Sequence, residues 1–398
     1  MPGSSNARPV ICSVNVTKTS AVSQGPRKML RLLLTWNWPY PTFCAFVLLL
    51  YFNRRKIRGW MSFFACCWKR QVRPDNSPSR RYLGLRNEGS TCYLNSILEC
   101  LFMTPEFTNS ILSERDVIVN ADRTVKKVQK LFIDLRFGNS TPSTRKLMNS
   151  LGIESGKQQD VEEYFRFLLN SIPEKMEAQK LFHIQVVHSI TCEKCNTKDV
   201  IPYTWLSLPV SIKEENPSVQ AAIDSFLKKL RFEGENRCYC ENCGSKQDSI
   251  SRNYFISLPR VLVIHLKRYE IYRGHFQKKF TAVSVENSLK IPLKKGADHA
   301  EYELFALCHH FGGLTGGHYT SEIKSSEDNQ WYSFNDSNVM VVPPRETKKS
   351  ETAYLLMYRK KQEDIPKFLE KDDLPKHVKF WIDELLKTSG SKGHKEFS

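Results

Sequence analysis

Two Cys-x-x-Cys pairs constrain the fold of this chain more than any other feature of its sequence. The first is Cys192 with Cys195 in TCEKCNTK, and the second is Cys240 with Cys243 in CYCENCGSK, with 44 residues between the two pairs. Each pair can present two thiolates at about 2.3 Å to one tetrahedral Zn²⁺. A closed four-cysteine site leaves no open coordination position, so we predict a structural Zn²⁺. Cys238, two residues before Cys240, is not an expected ligand.

The other cysteines favour a reducing compartment. The chain has 12 cysteines, irregularly spaced apart from the two pairs, and no cleavable signal begins at Met1. This pattern is typical of thiols that bind metal or act in catalysis rather than of a disulfide framework. We therefore expect the cytosol, with the nucleus as the alternative compartment.

The net charge of +17 is concentrated in one segment. Residues 1–81 contain 14 lysines and arginines and one acid, Asp75, and contribute +13, while the other 317 residues contribute only +4. A nucleic-acid-binding domain would carry its excess of basic residues on the folded part. The sequence therefore predicts no nucleic-acid partner.

The same basic segment contains an apolar stretch. Residues 32–53 carry no charge, but Pro39 and Pro41 interrupt them and leave 11 unbroken apolar residues, TFCAFVLLLYF. A helix that crosses a bilayer needs about 20. Two interpretations stay open for this N-terminal extension, a variable or disordered segment and a membrane-associated one. A Pro/Ser-rich linker at 70–81 then leads into a globular composition from Tyr82.

Helical patterns dominate up to about residue 180, and strand patterns follow. This order predicts an α+β fold without a parallel βαβ sheet. The charged C-terminal tail, 361–398, contains HVKFWIDELLK, which places Val378, Trp381, Ile382 and Leu385 on one helical face. It is either a partner-binding helix or a helix packed back on the domain.

Cys92 is a candidate nucleophile. It follows the turn-forming stretch NEGST and precedes apolar residues at helical spacing. A thiol in the first turn of a helix lies near free N–H groups and the positive end of the dipole, which favour thiolate.

His318 is the candidate partner of this thiol. It follows the glycine-rich stretch GGLTGG at the start of a predicted strand, and Asn335 and Asp336 lie one hairpin further along. An amide or carboxylate there could accept a hydrogen bond from the imidazole Nδ1–H and fix its tautomer.

The segment QQDVEEYFRFLL predicts a helix with polar residues near its start. Gln159, Glu163 and Arg166 lie near one face, and Asp160 stands beside them at the helix start. By itself this segment is typical of an ordinary capped amphipathic helix.

Together these stretches resemble the ubiquitin-specific protease family (peptidase C19) over residues 82–360. The blocks that carry the resemblance are GLRNEGSTCYLNSILECL, QQDVEEY, the two Cys-x-x-Cys pairs, SLPRVLVIHLKRY, HFGGLTGGHYTSEI, and WYSFNDSNV with ETAYLLMY. The resemblance implies a papain-like hand with a thumb (about 82–180), zinc-stabilised fingers (about 181–260) and a palm (about 261–360). It also implies a thiol-dependent hydrolase that removes ubiquitin or a related modifier from target proteins.

The resemblance further implies a role for each candidate residue. Cys92 is the expected nucleophile and His318 the base, oriented by Asn335 or by Asp336. Asn87 is expected to form the oxyanion hole with the backbone N–H of Cys92. The residues expected along the channel for the Arg-rich tail of the modifier are Gln159, Asp160, Glu163, Gly316 and Gly317.

Within the family, CYCENCGSK, WYSFNDSN and ETAYLLMY are most similar to an interferon-induced member that removes an interferon-stimulated, ubiquitin-like modifier. The expected partners are therefore this modifier or ubiquitin, their conjugates, and an interferon-receptor or signalling partner. A role in damping interferon signalling follows from the same resemblance. The alternatives are a general deubiquitinase and a non-enzymatic receptor-binding scaffold.

Overall fold

A computed structural model of the chain describes residues 10–11, 82–115, 123–293, 299–313, 316–344 and 348–390. All of these residues belong to one compact unit. A second unit, Asn15–Ser79, includes the apolar stretch 32–53 and lies outside the described residues. Within the part of the chain that is described, no helix is both long and apolar enough to cross a membrane.

Three of the described helices start at residues suited to a helix N-terminus. Pro105, which has no N–H, opens the second helix, while the side chains of Asp160 and Ser218 cap the fifth and sixth. The described helices are α1 (Cys92–Phe102), α2 (Pro105–Ser113), α3 (Arg123–Phe137), α4 (Arg145–Leu151), α5 (Val161–Asn170), α6 (Val219–Leu227) and α7 (Lys376–Gly390). Helices α1 to α5 form the thumb, where the sequence predicted helices.

The strands lie mostly after residue 180, as the sequence predicted. They are β1 (Val10–Ile11), β2 (Ile184–Cys192), β3 (Lys198–Trp205), β4 (Leu208–Ser211), β5 (Leu230–Phe232), β6 (Cys238–Cys240), β7 (Ser245–Gln247), β8 (Ser249–Ser257), β9 (Val261–Lys267), β10 (Tyr269–Tyr272), β11 (His275–Lys278), β12 (Val283–Val285), β13 (Ser288–Pro292), β14 (His299–Gly312), β15 (Gly317–Lys324), β16 (Trp331–Asn335), β17 (Asn338–Val342), β18 (Lys348–Ser350) and β19 (Ala353–Lys360). The α+β class is confirmed.

The palm is an eight-stranded sheet. Its order is β17-β16-β15-β14-β19-β9-β4, with β13 also paired to β14, and only β4 with β9 is parallel. One face packs on the thumb helices, and the other buries a second core that includes Ile223 of α6. Helix α1 is buried along its whole length and lies against β14, β15 and β16. This packing brings the first turn of α1 to the strands that carry the candidate histidine.

The fingers consist of two smaller sheets, β3-β2-β8-β5 and β1-β6-β7. The segment 181–260, predicted as the fingers, is not continuous, because β4 leaves it and joins the palm sheet. Leu208 of β4 pairs with Ile264 of β9, and both side chains are buried, so apolar burial places this strand in the palm. Strand β1, from the N-terminal extension, pairs with β6, with Val10 opposite Cys240.

The C-terminal helix α7 packs back on the domain. Val378 and Ile382 are fully buried in the thumb core, where α7 lies against α3. The ammonium groups of Lys126 and Lys130 lie 5.6 and 4.8 Å from the ring centroid of Trp381. Of the two alternatives for this segment, the structure therefore shows the packed helix.

Candidate active site

Helix α1 begins at Cys92. Gly89 and Ser90 have left-handed backbone conformations, with φ of +98° and +56°, and turn the chain into the helix. The side-chain oxygen of Asn87 accepts hydrogen bonds from the N–H groups of Gly89 and Thr91, at 3.0 and 3.2 Å. The thiol therefore lies in the first turn, where unpaired N–H groups and the helix dipole favour thiolate.

His318 lies on β15, facing Phe311 of β14 across the ladder. Its Nε2 is 2.7 Å from the side-chain oxygen of Asn335, the last residue of β16. The hydrogen bond to the Cys92 thiol is therefore left to Nδ1. The sequence interpretation placed Nδ1–H against Asn335 and was wrong, because the neighbouring strand β16 brings that amide to the Nε2 edge of the ring.

Asp336 follows directly in the turn after β16, with a φ of +50°. Its carboxylate accepts hydrogen bonds from the side-chain amides of Asn87, at 3.0 Å, and Asn95, at 2.8 Å. Asn335 thus contacts the imidazole of His318, and Asp336 holds the candidate oxyanion-hole residue. Asn95, on the second turn of α1, was not a sequence candidate, since a buried asparagine in a helix is ordinarily assigned to the core.

The polar residues at the start of α5 have separate positions. One carboxylate oxygen of Asp160 accepts from the N–H groups of Glu162 and Glu163, at 2.8 and 3.3 Å, and the other accepts from the hydroxyl of Tyr354. Asp160 is therefore committed to its helix cap and to β19. The carboxylate of Glu163 is exposed. Of these two predicted channel residues, only Glu163 has a solvent-exposed carboxylate.

The glutamine nearest the thiol is Gln158, which the sequence interpretation missed in favour of Gln159. Its Nε2 lies 3.8 Å from the Sγ of Cys92 and donates to the carbonyl of Gly317. Its Oε1 accepts from the N–H of Gly317 at 2.5 Å. Both glutamines precede the helix cap, so helical periodicity carries no signal for which of them points at the thiol.

Gly317 occupies a position that admits no side chain. A Cβ there would lie 2.2 Å from the carbonyl oxygen of Phe311 and 2.4 Å from Nε2 of His310. At Gly316 the nearest atom would be Oε1 of Gln158 at 3.6 Å, an ordinary contact. Of the two predicted glycines, only Gly317 is required by the packing of its own position.

The four cysteines of the Cys-x-x-Cys pairs come together at the ends of β2 and β6. Their sulfur atoms all lie within 4.8 Å of one another, with Cys192 and Cys243 4.0 Å apart and Cys195 and Cys240 3.6 Å apart. Thiolates about 2.3 Å from a tetrahedral ion are about 3.8 Å apart. The group therefore fits a tetrahedral metal ion, and Cys238 lies outside it.

Residues 83–358 match the ubiquitin carboxyl-terminal hydrolase family, which is more than half of the chain. The chain belongs to this family. It is 25% identical to ubiquitin carboxyl-terminal hydrolase 47 of Drosophila melanogaster, over 77% of this chain and 26% of that protein. It is 28% identical to human Ubl carboxyl-terminal hydrolase 18, over 70% of this chain and 85% of that protein.

A solved structure supports the same assignment. The SAGA Ubp8/Sgf11/Sus1/Sgf73 DUB module bound to ubiquitin aldehyde contains a chain that is 28% identical, with a TM-score of 0.63 over 75% of this chain and 73% of that one. The thumb–palm–fingers fold of the family is thus confirmed. The chain spans about a quarter to a third of the length of ubiquitin carboxyl-terminal hydrolases 47 and 48.

The hydrolase-family site has the electrostatics of an activated thiol. Burial acts to raise the pKa of the Cys92 thiol, but hydrogen bonds from His318, the Tyr319 backbone and Gln158 hold that pKa below its ordinary value. The hydrogen bond with Cys92 raises the pKa of His318 to about 9 against the opposing effect of burial, with help from Asn335. Both shifts favour the thiolate–imidazolium form of the pair over the neutral form.

This ion pair predicts a pH profile for alkylation of Cys92. We expect the rate with iodoacetamide, read at the Cys92 peptide by mass spectrometry, to rise through an inflection below pH 9.0, the ordinary thiol value. In His318→Ala the inflection should move to higher pH, because burial then acts without the imidazolium. A shift of one pKa unit lowers the thiolate fraction at pH 7 by about tenfold.

The control for this measurement is His377→Ala, which removes a histidine that packs on Trp381 of α7. It should keep the wild-type inflection. Identical inflections in the wild type and in His318→Ala would contradict the ion pair.

Proposed function

We propose that the protein is a cysteine isopeptidase that cleaves the bond after the C-terminal glycine of a ubiquitin-like modifier attached to a target lysine. The observation that carries this proposal is the arrangement of Cys92, His318 and Asn335 at the meeting point of α1, β15 and β16. A thiol paired with an imidazole, which is in turn oriented by an amide, is the arrangement that acyl transfer through a thioester requires.

The proposed reaction has two steps, formation of a thioester on Cys92 and its hydrolysis. The Cys92 thiolate attacks the carbonyl carbon of the terminal glycine, and the negative charge moves to the carbonyl oxygen. The Nδ2–H of Asn87 and the N–H of Cys92 are the donors for that oxygen. The imidazolium of His318 then gives its proton to the lysine amine as the C–N bond breaks, leaving a thioester on Cys92.

Hydrolysis of the thioester regenerates the site. His318, now neutral, takes a proton from a water molecule that attacks the thioester carbonyl. The C–S bond breaks, the modifier leaves with a free glycine carboxylate, and His318 again pairs with the Cys92 thiolate. Asp336 has no direct part in either step, and its role is to aim the amide of Asn87.

We also propose that the metal in the fingers is Zn²⁺. The donor set of four cysteine sulfurs at tetrahedral spacing supports zinc, since thiolates select it over hard cations such as Mg²⁺ or Ca²⁺. Cys192, Cys195, Cys240 and Cys243 would hold the ion, which would tie β2 to the β6–β7 turn. It would supply folding energy and take no part in the cleavage.

The modifier we propose is the interferon-stimulated one, with ubiquitin as the alternative. This finer assignment rests on the motif resemblance to the interferon-induced ubiquitin-specific protease 18, and the 85% coverage of human Ubl carboxyl-terminal hydrolase 18 supports it. Both modifiers end in Arg-Leu-Arg-Gly-Gly, so Glu163 cannot distinguish between them. Selectivity would come from exposed apolar side chains that meet the globular face of the modifier, such as Ile271 and Phe276 of the β10–β11 hairpin and Ile256 of the fingers.

Two C-terminal electrophilic probes test this proposal, one made from each modifier. We expect both to label Cys92 of the full chain, and the interferon-stimulated modifier to react roughly ten- to a hundredfold faster, as apolar contacts worth about 1–3 kcal/mol allow. Cys92→Ala serves as the blank. Faster labelling by the ubiquitin probe would overturn the modifier assignment but leave the assignment as a hydrolase intact. Failure of both probes with folded protein would refute the isopeptidase and favour the scaffold.

An interferon-receptor or signalling partner, and a cytosolic or nuclear location, stay predictions of the sequence. So does membrane contact of residues 32–53, which lie outside the described residues.

A further inference from the structure

Lys278 is a buried lysine at the end of an otherwise exposed hairpin. It is 8% exposed, whereas Ile271 and Phe276 of the same hairpin are 66% and 64% exposed. Burying an ammonium is costly, and proteins usually offset the cost with a carboxylate. Among the residues that the structure describes, no carboxylate lies within ion-pair distance of the Lys278 Nζ. Three other acceptors surround it instead.

All three acceptors belong to the end of β14. The Nζ of Lys278 lies 3.0 Å from the carbonyl oxygen of His310, 2.8 Å from that of Gly312, and 2.7 Å from Nδ1 of the His310 ring. Burial and the charge of Arg268 lower the pKa of Lys278 to about 8. The ammonium form therefore still dominates at pH 7, and its three N–H groups match the three acceptors.

These acceptors flank the position opposite the candidate catalytic base. In the β14–β15 ladder, residues 310–312 pair with residues 317–319 in antiparallel order, so that Phe311 faces His318. Lys278 therefore holds the residues on both sides of Phe311. Any shift of the β14 end would move His318 relative to Cys92, which is on a different element.

The ring of His310 transmits this contact across the ladder. It stacks on Tyr319, with ring centroids 4.5 Å apart, and its Nε2 edge fills the space where a side chain on Gly317 would lie. Burial and the neighbouring ammonium lower the pKa of His310 to about 4. The ring is therefore neutral, and its Nδ1 can accept from Lys278. The residues before and after His318 are both in contact with a ring that Lys278 holds.

We propose that Lys278 is a positioning residue for His318: it ties the β10–β11 hairpin to the end of β14 and thereby sets the imidazole against the Cys92 thiol. This inference rests on the proposed isopeptidase function and adds to it a residue that acts through the backbone. An exposed hairpin that meets the modifier is, through Lys278, joined to the strand pair that carries the base.

The test compares Lys278→Met, which keeps the length of the side chain and removes its donors, with Lys278→Arg, which keeps donors for the two carbonyls. The matched control is Lys279→Met, because the neighbouring Lys279 forms a surface ion pair with Glu270 at 2.7 Å. Each variant is assayed for kcat and KM on a modifier C-terminal fluorogenic substrate, with active sites titrated by an electrophilic probe. The pH profile of Cys92 alkylation is measured on the same samples.

We expect Lys278→Met to lower kcat per titrated site by about 10- to 100-fold, the order expected for a misplacement of about 1 Å, with KM changed less than about twofold. The Cys92 alkylation inflection should move to higher pH. Lys278→Arg should recover most of both losses, and Lys279→Met should match the wild type. A purely structural role would reduce the number of titrated sites and leave kcat per site and the inflection unchanged, which would overturn the proposal.

If Lys278→Met does not fold, Lys278→Gln takes its place, since the glutamine amide keeps a donor for one carbonyl. The same two quantities are measured, kcat per titrated site and the inflection of Cys92 alkylation. A lower kcat per site and a raised inflection support the proposal, and wild-type values overturn it. The alkylation profile needs no turnover. An inactive wild type would therefore refute the proposed function while the effect of Lys278 on Cys92 could still be measured.

Discussion

Cys92→Ala is expected to abolish cleavage of a modifier C-terminal fluorogenic substrate, with turnover lower by about 10⁴-fold or more. The substitution removes the sulfur atom that would form the thioester and adds no bulk to the first turn of α1. Binding of the modifier should survive, because the palm and fingers are unchanged. His318→Ala should be nearly as severe, since the thiol then loses both its imidazolium partner and the proton donor for the leaving amine.

The control for these variants is His377→Ala on α7, which should keep wild-type turnover and binding. Substantial turnover by Cys92→Ala would refute the assignment of Cys92 as the nucleophile.

The structure also predicts different effects for substitutions of Asn335 and Asp336, the two candidates at the end of β16. Asn335→Ala should be milder than His318→Ala, because the ring keeps its contact with the thiol. Asp336 cannot replace Asn335, since its carboxylate already accepts from Asn87 and Asn95.

Cys240→Ser is expected to abolish metal binding and to lower the free energy of unfolding by several kcal/mol. The apparent free energy of zinc binding by small structural sites is about 10–16 kcal/mol, comparable to the entire stability of a typical domain, which is about 5–15 kcal/mol. Loss of even about 3 kcal/mol would lower Tm by roughly 5–10 °C in a domain of this size. The fingers sheets should loosen first, because β6 and β7 are short and depend on the site for their attachment.

Elemental analysis and thermal unfolding measure this prediction directly. The wild type should contain one Zn²⁺ per chain, and Cys192→Ser should behave as Cys240→Ser does. The matched control is Lys246→Ala on β7, whose side chain is exposed beside the site, and it should keep both metal and Tm. A well-folded wild type without metal would contradict the zinc site. Alkylation of Cys92 should be little changed in the cysteine variants that still fold.

Local sequence was sufficient to predict the class of fold and to name the candidate reactive groups. The order of helical and strand patterns predicted α+β, because amphipathic periods of 3.6 and 2 are local properties. The turn before Cys92 predicted that α1 would begin there, since a left-handed glycine ends one backbone conformation and lets another start. The spacing of the Cys-x-x-Cys pairs predicted the cluster of four sulfurs, because each pair is a self-contained turn.

Long-range register decided the rest. Whether Asn335 or Asp336 meets His318 depends on how β16 pairs with β15, and a shift of one residue would exchange their roles. The sequence likewise did not show that β4 joins the palm sheet, because a short apolar strand does not specify its pairing partner, and burial in the folded protein decides it. For α7, the apolar face was visible in the sequence, but the surface that covers it, on α3, lies about 250 residues earlier in the chain.

The sequence by itself determined which groups are the candidates for the chemistry, Cys92 and His318, and which sulfurs gather in the fingers, because these depend on residue type and local spacing. Only the tertiary structure decided which other side chains contact and position these groups. Gln158 lies against the thiol, Asp336 holds Asn87, and Lys278 holds the end of β14, and each of these contacts joins segments far apart in the chain. The physical reason is that a hydrogen bond depends on distances of a few tenths of an ångström, which are set by packing and strand register and leave no periodic trace in the sequence.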